Sequence, residues 1–190
     1  MHTSWNSAAE AVVREIFASE ERPCSVEALR RHLDGLIEEF LPRGGDLLTG
    51  GSDEMRAAWI SMARLARALG ANIDFLNYSE AFRGDHRHVL SIVVRKQQDY
   101  GHENIARFGR LGLLVRVHDK IARLENLLGT GSSPKNESIE DNIVDVMGYS
   151  ILGAMWEEGT FLLALQPSTV VESEPVSALG AASLGFLRLA

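Results

Sequence analysis

Between Asn136 and Leu187 the chain has no lysine or arginine, yet the helical pattern that opens this stretch, ESIEDNIVDVMGYSILGAMWEE, carries a row of carboxylates. Glu137, Asp141 and Asp145 stand at successive i, i+4 positions, with Glu140 at the edge of the row. Like charges at that spacing destabilise a helix by roughly 0.2 to 0.5 kcal/mol per pair, so the compensation has to come from other elements. Glu137 and Glu140 fit the first turn, where the helix dipole favours acids. Asp145 does not: it lies two turns in, among Ile143, Val144, Val146 and Met147, in a helix apolar almost all round. A carboxylate there is expected to be buried and to need an arginine, a lysine or a metal ion. Something outside this helix must therefore compensate its charge.

The rest of the sequence supplies helices. Arg110 to Leu128 places Leu113, Leu114, Val117, Ile121, Leu124 and Leu128 on one side. Arg116, Asp119, Lys120 and Arg123 fall on a flanking side, because residues three, four and seven apart stack on a helix. Ser7 to Ser19 reads as a short amphipathic helix. Ser25 caps a second, with Val26, Leu29, Leu33, Leu36, Ile37 and Phe40 as its apolar stripe until Pro42. Ser52, followed by Asp53 and Glu54, opens a third that is predicted to stop at Gly70, with Met55, Trp59, Met62, Leu65 and Leu69 inward. Arg56, Arg64 and Arg67 on its other side read as a solvated face. ANIDFLNYSEAF is predicted helical with Phe75, Tyr78 and Phe82 inward. HVLSIVV has strand-like β-branched residues, but RKQQ behind it makes a helix ending near Gly101 the better reading. On that helix His86 and His88 diverge, so they do not form a joint metal site.

The expected fold is all-α, a helical bundle completed by oligomerisation. Its parts are an N-terminal helical region over 1–84, a helical core over 85–165 and a tail over 166–190, whose Leu184, Phe186, Leu187 and Leu189 would dock on a neighbour. A net charge of −7 excludes broad attraction to nucleic acid, whose backbone is bound by displacing counterions with Lys and Arg. The single Cys24 excludes an intrachain disulfide and a multi-cysteine zinc site. No apolar run is long enough for a bilayer, and MHTSWNSAAEAVVREIF has no secretion signal, so the expected compartment is the cytoplasm, without a membrane partner. The glycines of PRGGDLLTGGSD are not a phosphate loop, since no Gly-Lys-Ser/Thr follows. The first two helices do not make a DNA-reading pair, because Asp34, Glu38 and Glu39 share the exposed face with arginines.

Two readings of the acidic helix stand. In one, Arg116, Lys120 and Arg123 pair with Glu137, Asp141 and Asp145 as interhelical ion pairs. In the other, Glu137, Asp141 and Asp145 hold magnesium or manganese, hard cations that take oxygen ligands, while the neighbouring cations grip phosphate oxygens. Gly148, one turn beyond Asp145, leaves room for a ligand or a close helix, and Tyr149 is placed to stack on a base or to pack in the core.

The runs KQQDYGHENI, GLLVRVHDKIARLENLL and ESIEDNIVDVMGYSILGAM resemble the helical nucleotide-modification-associated domain family of phage and bacterial sequences. That family is thought akin to MazG-like and dimeric dUTPase-like all-α nucleotide pyrophosphohydrolases. The resemblance covers roughly Val89 to Glu157 through Asp99-Tyr100-Gly101, Asp119-Lys120 with Arg123-Leu124, and Glu137-Ser138 with Asp141 and Asp145. It departs from the MazG-like pattern, which sets Glu-x-x-Glu against Glu-x-x-Asp; here the facing helix offers Asp119, or Asp99 and Glu103 from the turn before it.

The resemblance implies a magnesium- or manganese-dependent nucleoside triphosphate pyrophosphohydrolase, or a nucleotide-binding relative, assembled as a homo-oligomer. Asp119, Lys120 and Asp145 would be catalytic. Asp99, Tyr100, Arg116, Lys120, Arg123 and Tyr149 would bind substrate, and Glu137, Asp141 and Asp145 would bind metal, with Asp99 or Asp119 completing the shell. Two rival readings are an HD-type phosphohydrolase built on His118-Asp119 with His86, His88 or His102 and Asp145, and a helical assembly or regulatory protein without catalysis.

Overall fold

The computed structural model describes residues 2–19, 24–40, 51–73, 82–131 and 133–167. Among these residues every regular element is a helix: α1 (Trp5–Phe17), α2 (Val26–Phe40), α3 (Asp53–Asn72), α4 (His86–Tyr100), the single turn α5 (Glu103–Ala106), α6 (Gly109–Thr130) and α7 (Ile139–Glu157). The all-α expectation is met, and no described helix is long and apolar enough to cross a membrane. Phe75 and Tyr78, the glycine-rich segment 41–50 and the tail beyond 167 lie outside the described residues.

Helix α7 is the axis of the molecule, with its broad faces packed on α3 and α6 while α1 covers a further side. This is the arrangement demanded by a helix whose Ile143, Val146, Met147, Ile151, Ala154 and Met155 are all fully buried. The crossing with α3 is close because Gly153 has no side chain; a Cβ there would overlap the indole of Trp59. Helix α2 lies on α6 and α3, and α4 lies on α1. One hydrophobic core runs through all of these, with Trp5, Trp59, Phe82 and Phe161 at its centre, so residues on both sides of position 84 share it.

Local chemistry explains where the helices begin. Helix α1 starts earlier than the apolar spacing indicates, since Ser4 and Ser7 form a reciprocal capping box, the Ser7 N–H donating to Ser4 Oγ at 3.2 Å. Helix α3 starts as predicted, with the Met55 N–H donating to Ser52 Oγ at 3.1 Å. It does not stop at Gly70 but runs to Asn72; Gly70 is inside the helix because the Phe82 ring occupies the space of its missing side chain. Helix α4 ends at Gly101, where the helical pattern is expected to break, and whose φ of 67° is a conformation that favours glycine. In α7 the cap is Ser138, which exchanges hydrogen bonds with Asp141, so Glu137 precedes the helix rather than opening it.

The arginines of α3 are not a solvated face. Arg56 donates to Glu15 at 2.7 Å and to Glu158 at 2.6 Å, Arg64 to the Glu15 carbonyl, and Arg67 lies over the Phe17 ring. Deeper still, Arg110 and Glu157 form a two-pronged pair at 2.7 and 2.6 Å with both side chains buried. The cation-free acidic stretch is thus compensated from outside, by α3, α4 and α6, as its composition requires. After α7 the chain turns at Gly159, buries Phe161, and crosses the start of α1, where the Trp5 N–H donates to the Ala164 carbonyl at 3.0 Å.

Candidate functional site

Helix α4 rests on α1 and stands off α7, and a hollow of about 200 Å³ opens between them. On α4, Ile92, Lys96 and Tyr100 follow one another at four-residue steps, so they line one wall, with Gln97 beside Lys96. The opposite wall is α7, where Val144, Asp145, Gly148, Tyr149 and Leu152 share a face. Asn104 of α5, Lys120 of α6 and Glu137 close the sides. Gly148 contributes open space, since a Cβ there would meet nothing within 4 Å. A second, wider hollow of about 750 Å³ adjoins the first across Ile92, Lys96 and Val144, and is lined by His88, Arg95, Asp99, Ser138, Glu140 and Asp141.

Asp145 is the centre of the charge arrangement. Its side chain is 13% exposed, and each oxygen meets its own ammonium: Lys96 Nζ donates to Oδ1, and Lys120 Nζ lies 2.8 Å from Oδ2. Lys120 also donates to Glu137 at 2.7 Å. Burial works to lower the Lys120 pKa, but the hydrogen bonds and charges of Asp145 and Glu137 outweigh it and hold the ammonium above its ordinary range. Arg123 secures Glu137 from outside, donating to its backbone carbonyl at 2.9 Å. Arg116 donates to Asn104 Oδ1 at 2.5 Å and sits 5.6 Å from the centre of the Tyr149 ring, near enough for a cation–π contact.

The residues singled out by sequence are therefore sorted by the fold. Lys120, Asp145, Glu137, Tyr100 and Tyr149 line the first hollow; Asp99 and Asp141 line the second. Arg116 and Arg123 stand one layer back, against Asn104, Tyr149 and Glu137. Asp119 is exposed on α6 and lines neither hollow. Lys96, Gln97 and Asn104 were not singled out by the spacing argument. Lys96 had a signal available, as a cation four residues before Tyr100, one helical turn away; the amides had none, because their use depends on what surrounds them.

Glu137, Asp141 and Asp145 do not converge as a set of three. Glu137 and Asp145 meet at the ammonium of Lys120, while Asp141 accepts from both the Ser138 N–H and hydroxyl in the cap. No group of three or more His, Cys, Asp or Glu placed to hold a metal ion occurs among the described residues. The arrangement does not fit a magnesium ion held by those three carboxylates, since Asp141 is turned to the cap and a lysine occupies the point where the other two meet.

The HD-type set is also dispersed. His118 Nδ1 lies 2.9 Å from the Arg30 guanidinium, and His102 Nε2 lies 3.0 Å from the Leu163 carbonyl. Asp145 is taken by lysines instead.

No protein-family model, curated protein or solved structure matches this chain.

Proposed function

We propose that the chain binds a nucleotide between α4 and α7, with Lys96 and Lys120 holding the phosphate groups and Tyr149 and Tyr100 flanking the base. The observation that carries this reading is convergence. Three separated stretches, the turn after α4, the basic flank of α6 and the acidic face of α7, all contribute to one hollow. Ammonium groups are compact point charges suited to phosphate oxygens. Asp145 orients both lysines, and an incoming phosphate would compete with it for them. Lys96, half-exposed, is the one placed to swing toward a ligand. Tyr149 offers a planar face already backed by the Arg116 guanidinium.

The test is a thermal melt with nucleoside triphosphates, with and without magnesium and EDTA. A ligand that prefers the native state at about 100 times its Kd adds roughly 2.7 kcal/mol, so the melting temperature should rise clearly. Lys96→Met and Lys120→Met should each abolish the rise. If no nucleotide shifts the melt or binds by calorimetry, the reading fails.

Hydrolysis is a separate step, raised by the resemblance rather than by the carboxylates, since Glu137 and Asp145 are both engaged by Lys120. Release of phosphate or pyrophosphate with magnesium or manganese, lost in Asp145→Asn, would make the protein an enzyme; binding without release would make it a nucleotide-binding relative. Light scattering of the same preparation tests the homo-oligomer that the resemblance implies.

A further inference from the structure

The second hollow carries a charge that nothing in the described protein answers. Glu140, in the first turn of α7, lines that hollow and is only 8% exposed. No hydrogen bond or ion pair joins its carboxylate to another described residue. Its oxygens are nevertheless within reach of a molecule the size of water, because among the described residues the only buried, unpaired side-chain oxygen sealed from such contact is that of Asn142. The carboxylate is therefore open to the hollow. The dipole of α7 favours an acid at this end, but Asp141 already fills the cap, and a carboxylate standing in water would serve the dipole equally well. A nearly buried carboxylate without a cation is costly, so the position calls for one from outside.

The surroundings select the kind of cation. Asp99, Glu140 and Asp141 line the hollow against Arg95 and Lys96, and Lys96 is taken up by Asp145, so the hollow is net negative. A hard divalent ion takes roughly six oxygen ligands, and the described residues offer no group of three or more metal-binding side chains. An ammonium asks for less, since one carboxylate supplies a charge-assisted acceptor for it. Val144 stands one helical turn beyond Glu140, and with Ile92 it adds an aliphatic surface suited to a methylene chain. We infer that the second hollow binds a small alkylamine, its ammonium donating to Glu140 and its chain lying along Val144 and Ile92. This site is independent of the nucleotide reading: it needs nothing bound in the first hollow, with which it shares only Ile92, Lys96 and Val144.

The experiment is an NMR titration of the nitrogen-15-labelled full chain with n-butylammonium chloride, beside sodium chloride at matched ionic strength, n-butanol and magnesium chloride. With butylammonium the wild type is expected to show saturable shifts at the amides of Glu140 and Val144, and with the other three none that saturate. Glu140→Gln keeps the shape and removes the charge, so butylammonium affinity should fall by about tenfold or more, the loss expected for one charge-assisted hydrogen bond. If Glu140→Gln does not fold by circular dichroism, Glu140→Ala carries the same test. A role confined to the helix dipole would lower the melting temperature of these variants but give the wild type no saturable site. Absence of saturation with butylammonium, equal saturation with n-butanol, or undiminished affinity in a folded Glu140→Gln or Glu140→Ala overturns the inference. Saturation by magnesium at the same amides would give the carboxylate to a metal and overturns it as well. Each of these results leaves the nucleotide melts as they stand, and failure of those melts leaves this site as it stands.

Discussion

At the scale of single residues, the molecule is governed by where its carboxylates find cations. Arg110 and Glu157 are buried together, so removing one partner leaves an uncompensated charge in the interior. Arg110→Met is expected to destabilise the protein by about 3 to 5 kcal/mol in urea unfolding, whereas Arg110→Met combined with Glu157→Leu should recover much of that loss. The pair Arg30–Glu125 is more exposed and acts through pH. The hydrogen bond from Arg30, aided by its charge, lowers the Glu125 pKa below 4.5 in the folded state. Its stabilisation is therefore full above the unfolded value and is lost as pH falls through the folded one. The stability gap between wild type and Glu125→Gln should accordingly be widest near neutrality and close toward about pH 3, as urea melts across that range would show.

At the scale of helices, two glycines of α7 that look equivalent in sequence have opposite roles. Gly148 faces open space in the hollow, so Gly148→Ala should stabilise by about 0.5 to 1 kcal/mol through helix propensity alone. Gly153 is pressed against Trp59, so Gly153→Ala should destabilise by about 1 to 3 kcal/mol through overpacking. Thermal melts of the two variants side by side give the sign directly. The room at Gly148 was legible from its position one turn after Asp145. The contact at Gly153 was not, because nothing local says which helix crosses there. Helix starts with a serine at the cap and the stop at Gly101 were likewise legible, being written in neighbouring residues. Gly70 was misleading: a glycine signals freedom or closeness, and only the position of Phe82 shows that closeness is meant.

For the whole molecule, the core is continuous from α1 to Phe161, and this ties together segments that composition separates. The three tryptophans sit on α1, α3 and α7. Unfolding followed by their fluorescence and by far-ultraviolet circular dichroism should give coincident transitions, as for a single cooperative unit. Two separated transitions would show that the N-terminal helices form a unit of their own. Phe161→Ala should shift the whole transition by about 3 to 5 kcal/mol, since the segment after α7 closes over the start of α1 and its anchor is fully buried.

The sequence alone determined that the chain is helical, where most helices start and stop, and that Asp145 must meet a cation, whether an arginine, a lysine or a metal ion. These follow from spacing, capping and charge, which act over one or two turns. Only the tertiary structure decided which cation: Lys96 and Lys120 rather than a guanidinium, with Glu137 sharing the second and Asp141 turned to its cap. It also decided that α4 stands away from α7, leaving a hollow where a packed interface was equally compatible with the pattern. Whether two apolar faces meet or stand apart depends on what else each helix touches, and that is set by the packing of all of them at once.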